Sequence, residues 1–207
     1  MGKKRLILLL ALLFGLAGCG APPAAQAPAA PGDMLEVHFI DVGQADSTLL
    51  LCGGEAMLID GGNVADGSLV VSYLEQQGVE DLERVVCTHA DEDQGGGLAA
   101  VLAAYDAGTV YCPVEEYDSR AFENFKSYTE AQGLELTAPQ PGETFSLRSA
   151  QVTILGPVKE YEDTNNTSIV LRVDFDETAF LFTGDMERDA EADLMESGAS
   201  LWATVLK

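Results

Sequence analysis

The sequence has few basic residues. Its 207 positions hold 11 Lys and Arg against 34 Asp and Glu, a formal net charge of −23 at pH 7. Such a surface repels phosphate backbones at long range, which excludes a protein that coats DNA or RNA without sequence preference. Hydrophobic residues make up 47% of the chain and charged residues 22%, which excludes a disordered or fibrous chain and indicates one globular domain. A local metal or small-molecule site stays compatible with this charge.

The N-terminal region lacks an apolar run long enough to span a bilayer. Residues 6–16 form an apolar run behind three basic residues, whereas a spanning helix needs about 20 apolar residues. The segment Leu16–Cys19 (LAGC) resembles a bacterial lipoprotein signal, which implies cleavage before Cys19 and lipid attachment to it. We therefore expect residues 1–18 to be a signal peptide and the protein to be lipid-anchored on the outer side of the cell membrane. An ordinary signal peptide or an uncleaved anchor is the alternative.

Residues 19–33 also lack core-forming side chains. Four prolines among alanines predict a semi-extended tether, so the folded domain is expected to comprise residues 34–207.

Cysteines are too few for a disulfide framework. With Cys19 assigned to the lipid, Cys52, Cys87 and Cys112 remain, an odd number without zinc-finger spacing. Cys52 ends a strand-like run and Cys87 lies inside another. This placement predicts small buried hydrophobic residues, with one disulfide in an exported protein as the alternative.

Hydrophobic patterns predict two sheets, or one mixed sheet, with helices outside. Alternating or apolar runs predict strands, and apolar residues at helical spacing predict helices. The strands are expected at 35–41, 47–52, 56–60, 84–88, 109–112, 134–137, 143–147, 151–155, 168–175, 178–183 and 201–206, and the helices at 67–77, 97–105, 119–132 and 187–196. The last strand-like run reaches the end of the sequence without a turn, so the domain is expected to be partial.

The densest polar cluster is Thr88–Gly97 (THADEDQGGG), directly after a predicted apolar strand and before a helix. Strand ends are where α/β folds place ligands. Imidazole and carboxylate groups bind divalent metals, and His89, Asp91 and Asp93 would share one side of an extended segment or converge further in a tight loop. Three glycines would let the backbone turn under such a site. An acidic loop that caps a helix N-terminus is the alternative.

Other polar motifs occur in a fixed order along the chain. They are Phe39–Ser47 (FIDVGQADS), Leu58–Gly62 (LIDGG), Asn165–Ser168 (NNTS) and Phe182–Asp185 (FTGD). With Thr88–Gly97, they resemble the metallo-β-lactamase superfamily, most closely its DNA-uptake competence (ComEC-like) branch. The resemblance runs from about residue 35 to the end. It implies an α/β (α+β) fold, an αββα sandwich that is incomplete at the C-terminus.

The resemblance also implies a role for each site residue. His89 and Asp91 would ligate a first metal, Asp93 would ligate a second and orient the attacking water, and Asp185 would bridge the two. Asp60 would support the metal loop by hydrogen bonds. For Asp185 the alternative is a helix cap, and for Asn166 a place beside the metal and a hairpin cap are both open. Asp41, Gln44, Asp46 and Ser47 would line the cleft or stabilise turns, and His38 is expected to be a sheet residue.

The expected cofactor is one or two divalent ions, zinc or manganese. An aspartate at position 91, where the superfamily commonly has histidine, favours an oxygen-preferring ion such as manganese. Gln94 stands where the superfamily has a histidine ligand, so it would be a weak ligand or a cleft residue. An HHGS-like segment that is expected after residue 207 would supply a further ligand.

These features predict a metal-dependent hydrolase that uses a metal-activated water, a phosphodiesterase or nuclease. Its partners would be a small-molecule or phosphodiester substrate and, through the N-terminal lipid, the membrane. The alternative is a surface binding module that keeps the fold and has lost catalysis, and Gln94 is its best support.

Overall fold

The computed structural model describes residues 33–207. The predicted signal peptide, Cys19 and the tether up to residue 32 lie outside the described residues. No helix within residues 33–207 is both long and apolar enough to cross a membrane.

The first half of the domain forms a six-stranded sheet in the order β1-β2-β3-β4-β5-β6. Its strands are β1 (Leu35–Phe39), β2 (Thr48–Cys52), β3 (Glu55–Ile59), β4 (Leu82–Val86), β5 (Ala107–Tyr111) and β6 (Leu136–Thr137). The predicted hairpin of β2 and β3 is confirmed, with Cys52 opposite Glu55. Gly53 and Gly54 have φ of 53° and 89°, as a two-residue hairpin turn requires. From β3 to β6 neighbouring strands are parallel.

The second half forms a five-stranded sheet in the order β11-β10-β9-β8-β7. Its strands are β7 (Thr144–Leu147), β8 (Ala150–Gly156), β9 (Val170–Phe175), β10 (Thr178–Phe182) and β11 (Val205–Leu206). Strands β7 to β10 are antiparallel, and the predicted hairpin of β9 and β10 is confirmed. Only β11 runs parallel to its neighbour β10.

Five helices accompany the sheets, and the packing makes an αββα sandwich, as expected. The helices are α1 (Gly67–Gln76), α2 (Glu92–Gly95), α3 (Leu98–Ala104), α4 (Arg120–Ala131) and α5 (Arg188–Glu196). The first, third and fourth helices share a core with one face of the first sheet. The other face of that sheet packs against the second sheet, and α5 packs on the outer face of the second sheet.

The strand predicted at 201–206 is mostly wrong, because only Val205–Leu206 pairs with β10. Leu201 and Ala203 instead pack beside α5, and Arg172 donates hydrogen bonds to the Ser200 and Trp202 carbonyls. The alternating apolar pattern there reflects packing on a helix and a side-chain clamp, not strand pairing.

Candidate metal centre

The predicted motifs meet at one edge of the sandwich. Strands β3 and β4 are parallel neighbours, so Asp60 and the segment after Val86 leave the sheet at the same end. The backbone N–H of Gly61 donates to the Gln94 carbonyl at 2.7 Å, and that of Gly97 donates to the Gly62 carbonyl at 2.9 Å. These bonds join the LIDGG segment to the polar cluster.

The metal loop is a tight loop, the second of the two forms that the sequence leaves open, and not an extended segment. Asp91 is extended and is followed by the single-turn helix α2, whose N–H groups at Gln94 and Gly95 both donate to the Asp91 carbonyl. The turn at this loop therefore comes from helix formation. The glycines serve close approach, because a Cβ on Gly97 would lie 1.9 Å from the Gly61 carbonyl oxygen.

His89 is fully buried and is the centre of the site. Its Nδ1 lies 3.4 Å from the Thr88 hydroxyl and 3.5 Å from the Ser168 hydroxyl. Its Nε2 has no hydrogen-bond partner within residues 33–207. That atom lies 3.7 Å from Oδ2 of Asp91 and 4.0 Å from Oδ2 of Asp185. A buried nitrogen without a partner is costly, and this one is oriented toward two carboxylates.

The donor chemistry of these three side chains, one imidazole and two carboxylates, suits a divalent ion. Two donors about 2.1 Å from one ion in a tetrahedron lie roughly 3.4 Å apart, close to both observed separations. In the described part of the chain, no group of three or more His, Cys, Asp or Glu side chains is arranged to hold a metal ion. The separations of His89 Nε2 from the two carboxylates would have to shorten by a few tenths of an ångström for one ion to bind all three groups.

Asp185 is held at the site by its backbone, since its N–H donates to the Ser168 hydroxyl at 3.1 Å. Burial raises the pKa of the Asp185 carboxyl above its usual range, and the carboxylates of Asp93 and Asp46 raise it further, whereas His89 and Lys207 lower it. A carboxylate in such acidic surroundings is stabilised by a cation. The predicted grouping of Asp185 with His89 is thus present, and Asp93 is close enough to affect its charge.

Gln94 lies beside this cluster and is buried. Its Nε2 donates to Oδ1 of Asp185 at 3.4 Å, while its Oε1 has no partner within the described residues. Gln94 thus contacts Oδ1 of Asp185, whereas Oδ2 faces His89. The Gln94 side-chain oxygen remains a free acceptor within the described residues. Asp93, one residue earlier, is half-buried, and its carbonyl accepts a hydrogen bond from Asp46 N–H at 3.2 Å.

Asp60 is bonded to the residue that opens the metal loop. Both oxygens of its buried carboxyl pair with Thr88, the residue before His89. Burial raises the pKa of Asp60 to about 8, against the lowering effect of its two hydrogen bonds with Thr88. Ser47 of the FIDVGQADS segment donates to the Asp60 carbonyl at 3.0 Å.

Asn166 serves as a helix cap in this structure. Its Oδ1 accepts hydrogen bonds from the backbone N–H groups of Glu187 and Ala190 at the start of α5, both at 3.2 Å. Its Nδ2 is directed to Asp163 at 3.3 Å. Asn166 therefore fixes α5 relative to the Asn165–Ser168 segment, and Ser168 is the member of that segment that reaches His89 and Asp185.

The remaining polar residues of the FIDVGQADS segment divide between turn and site. Asp41 accepts a hydrogen bond from Gly43 N–H at 3.2 Å and is exposed, as is Gln44. Asp46 instead forms an ion pair with Lys207, 2.5 Å between Oδ2 and Nζ. His38 lies on β1 with Nδ1 2.9 Å from the Tyr73 hydroxyl, which confirms it as a sheet residue.

The three described cysteines, Cys52, Cys87 and Cys112, are free thiols and buried, as expected. Cys87 Sγ donates to the His89 carbonyl at 2.9 Å, so this thiol supports the turn into the metal loop.

Three residues at the site escaped the sequence analysis. Tyr117 donates a hydrogen bond to Oδ1 of Asp91, and that bond raises the pKa of the Tyr117 phenol. Lys207 reaches Asp46, and Ser168 bonds to Asp185. The sequence did offer a signal for Ser168, because it lies in the Asn165–Ser168 motif. Tyr117 and Lys207 carried no local signal.

Comparison with known proteins agrees with this geometry. A family profile described as the metallo-beta-lactamase superfamily matches residues 40–206. ComE operon protein 3 of Bacillus subtilis (strain 168) is 23% identical over 191 residues, 83% of this chain and 25% of that protein. Competence protein ComA of Neisseria gonorrhoeae is 28% identical over 180 residues, 86% of this chain and 24% of that protein. The chain thus spans about a quarter of the length of these relatives.

Solved structures share the fold. The metallo-beta-lactamase SMB-1 bound to 2-mercaptoethanesulfonate has a TM-score of 0.58 at 20% identity, with 82% of this chain and 75% of that chain covered. Rm3 metallo-beta-lactamase has a TM-score of 0.55 at 15% identity, with 78% and 70% covered. At these identities the likeness shows the fold alone, and it confirms the predicted sandwich. With most of its described length matched by the family profile, the chain belongs to the metallo-beta-lactamase superfamily.

Proposed function

We propose that this protein is a metal-dependent hydrolase. The observation that carries the proposal is the buried Nε2 of His89, which has no partner within residues 33–207 and faces the carboxylates of Asp91 and Asp185. Superfamily members typically bind divalent metals, and this donor set suits one.

Each site residue has a role in the proposal. His89, Asp91 and Asp185 would hold the first ion, and Asp93 would help to hold a second and orient the attacking water. When bound, a divalent ion activates water and stabilises the negative charge that develops on the substrate. One imidazole among carboxylates and an amide makes an oxygen-rich site, which favours manganese over zinc.

The proposed substrate is a phosphodiester, and the activity that of a phosphodiesterase or nuclease. The name of one relative, competence protein ComA, denotes competence, which supports a nucleic-acid-related substrate. The net charge of −23 opposes long polyanions, so we expect short phosphodiesters to be preferred.

The test combines calorimetric titration of MnCl₂ and ZnCl₂ with hydrolysis of bis(p-nitrophenyl) phosphate. We expect His89→Ala to abolish both metal binding and hydrolysis. The matched control is His38→Gln, because His38 is the other histidine of the chain and pairs with Tyr73 on β1. If His89→Ala kept wild-type metal affinity, the proposed site would be wrong.

A catalytically degenerate binding module is the second candidate, favoured by Gln94 at a position where the superfamily has a histidine ligand. This candidate predicts no hydrolysis of phosphodiester, ester or lactam substrates by the native chain. It also predicts that Asp93→Ala changes stability alone.

We also propose that the protein is anchored by a lipid on Cys19, outside the cytoplasm. The support is the LAGC segment with the Pro- and Ala-rich run behind it. Cys19→Ala should release the protein from the membrane fraction or block its processing. Unchanged membrane fractionation of this variant would contradict the anchor.

A further inference from the structure

Tyr117 contacts the candidate metal centre from a segment that no motif includes. It lies between β5 and α4, and its phenol donates a hydrogen bond to Oδ1 of Asp91. One side chain therefore joins the β5–α4 connection to the metal loop.

The ring of Tyr117 is fixed by the core behind it. It packs edge-on against Phe122, with 6.1 Å between ring centroids, and Phe122 packs in the same way against Phe125, also at 6.1 Å. Phe125 is fully buried. The Tyr117 carbonyl accepts a hydrogen bond from Ser119 N–H at 2.8 Å, and Ser119 caps α4 through Phe122 N–H. The position of the phenol oxygen is therefore fixed by the packing of its ring on Phe122 and Phe125.

Asp91 needs such a support. Its side chain is 36% exposed, so its carboxylate would otherwise rotate toward solvent. With Oδ1 held by Tyr117, Oδ2 is the oxygen that faces Nε2 of His89, at 3.7 Å. A partner that orients a metal-ligating group in this way typically contributes 10–100-fold to metal affinity or activity.

We propose that Tyr117 is a positioning residue for Asp91, which holds this carboxylate in the orientation that ligates a divalent ion. The inference rests on the metal site of the proposed function, but not on hydrolysis. Tyr117 acts through Asp91 and is not assigned a contact with substrate.

The experiment is calorimetric titration of the full chain with MnCl₂ at neutral pH. Tyr117→Phe keeps the ring packing and removes only the hydroxyl, so it should weaken manganese binding by about 10–100-fold. The melting temperature of the metal-free variant should stay close to that of the wild type. The matched control is Tyr161→Phe, because Tyr161 also donates to an aspartate, Asp193, at 3.0 Å, at a site away from the metal loop. This control should leave the affinity unchanged.

A double-variant cycle separates positioning from general stabilisation. In an Asp91→Asn background, Tyr117→Phe should cause little further loss of affinity, because the carboxylate through which it acts is gone. An equal loss in both backgrounds would overturn the inference. So would wild-type affinity in Tyr117→Phe, and in that case the proposed function would stand. A wild-type chain that binds no divalent ion would overturn both, whereas one that binds but does not hydrolyse would contradict the hydrolase alone.

Discussion

Thr88 pairs with both carboxyl oxygens of Asp60, its backbone N–H at 2.7 Å from Oδ1 and its hydroxyl at 2.8 Å from Oδ2. The two residues leave neighbouring parallel strands at the same sheet edge, and the pair is buried. Since His89 follows Thr88 directly, this contact sets where the metal loop begins. Asp60 therefore acts on the site through the backbone and not as a ligand.

The raised pKa of Asp60 predicts that stability falls with rising pH. In the folded, metal-free chain this pKa is about 8, whereas in the unfolded chain it is roughly 3.9. Between these values the folded state keeps a proton that the unfolded state has lost. The contribution of Asp60 to the free energy of unfolding is therefore fully present below about pH 4. It is lost as pH rises toward 8. The loss is at most about 1.4 kcal/mol per pH unit.

Asp60→Asn should remove this dependence, because the amide copies the protonated carboxyl: its oxygen accepts from Thr88 N–H and its nitrogen donates to the Thr88 hydroxyl. Urea unfolding of both proteins in EDTA at pH 5 and pH 7.5 measures the pH dependence of the free energy of unfolding. The difference in free energy of unfolding between the variant and the wild type should grow with pH. A constant difference would show that Asp60 is ionised in the folded chain.

Metal removal should lower the melting temperature. A ligand that binds only the folded state at 100 times its Kd stabilises it by about 2.7 kcal/mol, which corresponds to roughly 5–10 °C for a chain of this size. EDTA should reverse the gain from MnCl₂ in differential scanning calorimetry. Asp185→Asn should abolish the gain. Asp193→Asn, which removes a carboxylate paired with Lys159 and Tyr161, should keep it.

Gln94→His should strengthen a second metal position. Imidazole is a better ligand than an amide for borderline ions, and position 94 already contacts Asp185. Calorimetry on the Gln94→His variant should show higher metal stoichiometry than the wild type, with a faster hydrolysis of bis(p-nitrophenyl) phosphate. Equal stoichiometry in both chains would mean that position 94 is not a ligand position.

The fold was predictable where local pattern and tertiary packing agree. The Gly53-Gly54 turn identifies the β2–β3 hairpin, the apolar run before Thr88 identifies the central strand β4, and Ser119 starts α4 as a side-chain cap. The segment 201–206 was misassigned, because alternating apolar residues show that one face of a segment is buried but not what buries it. Here Leu201 and Ala203 pack beside α5. The single-turn helix α2 was also not predicted, since long-range hydrogen bonds fix its surroundings: Gly61 N–H donates to the Gln94 carbonyl, and the Gly62 carbonyl accepts from Gly97 N–H.

The site was predictable to the extent that its residues follow strand ends. His89, Asp91 and Asp185 come together because strand topology brings those ends to one edge. Tyr117 was not predictable, because its nearness to Asp91 depends on how the β5–α4 connection passes over the metal loop. Lys207 reaches Asp46 only because β11 adds to the second sheet beside β10.

The close contact of Gly97 with the LIDGG segment gives the last prediction. A Cβ at position 97 would lie 1.9 Å from the Gly61 carbonyl oxygen and 3.2 Å from the Asn63 carbonyl oxygen, and these backbone atoms cannot rotate away. Gly97→Ala should therefore push the metal loop away from Asp60, lower the free energy of unfolding by more than about 3 kcal/mol and weaken manganese binding.

Gly133→Ala is the control, because Gly133 has φ of 77° but open space around it. Its cost should be the backbone strain alone, about 1–2 kcal/mol, with unchanged manganese affinity. Equal affinities in the two variants would show that metal binding does not depend on this contact.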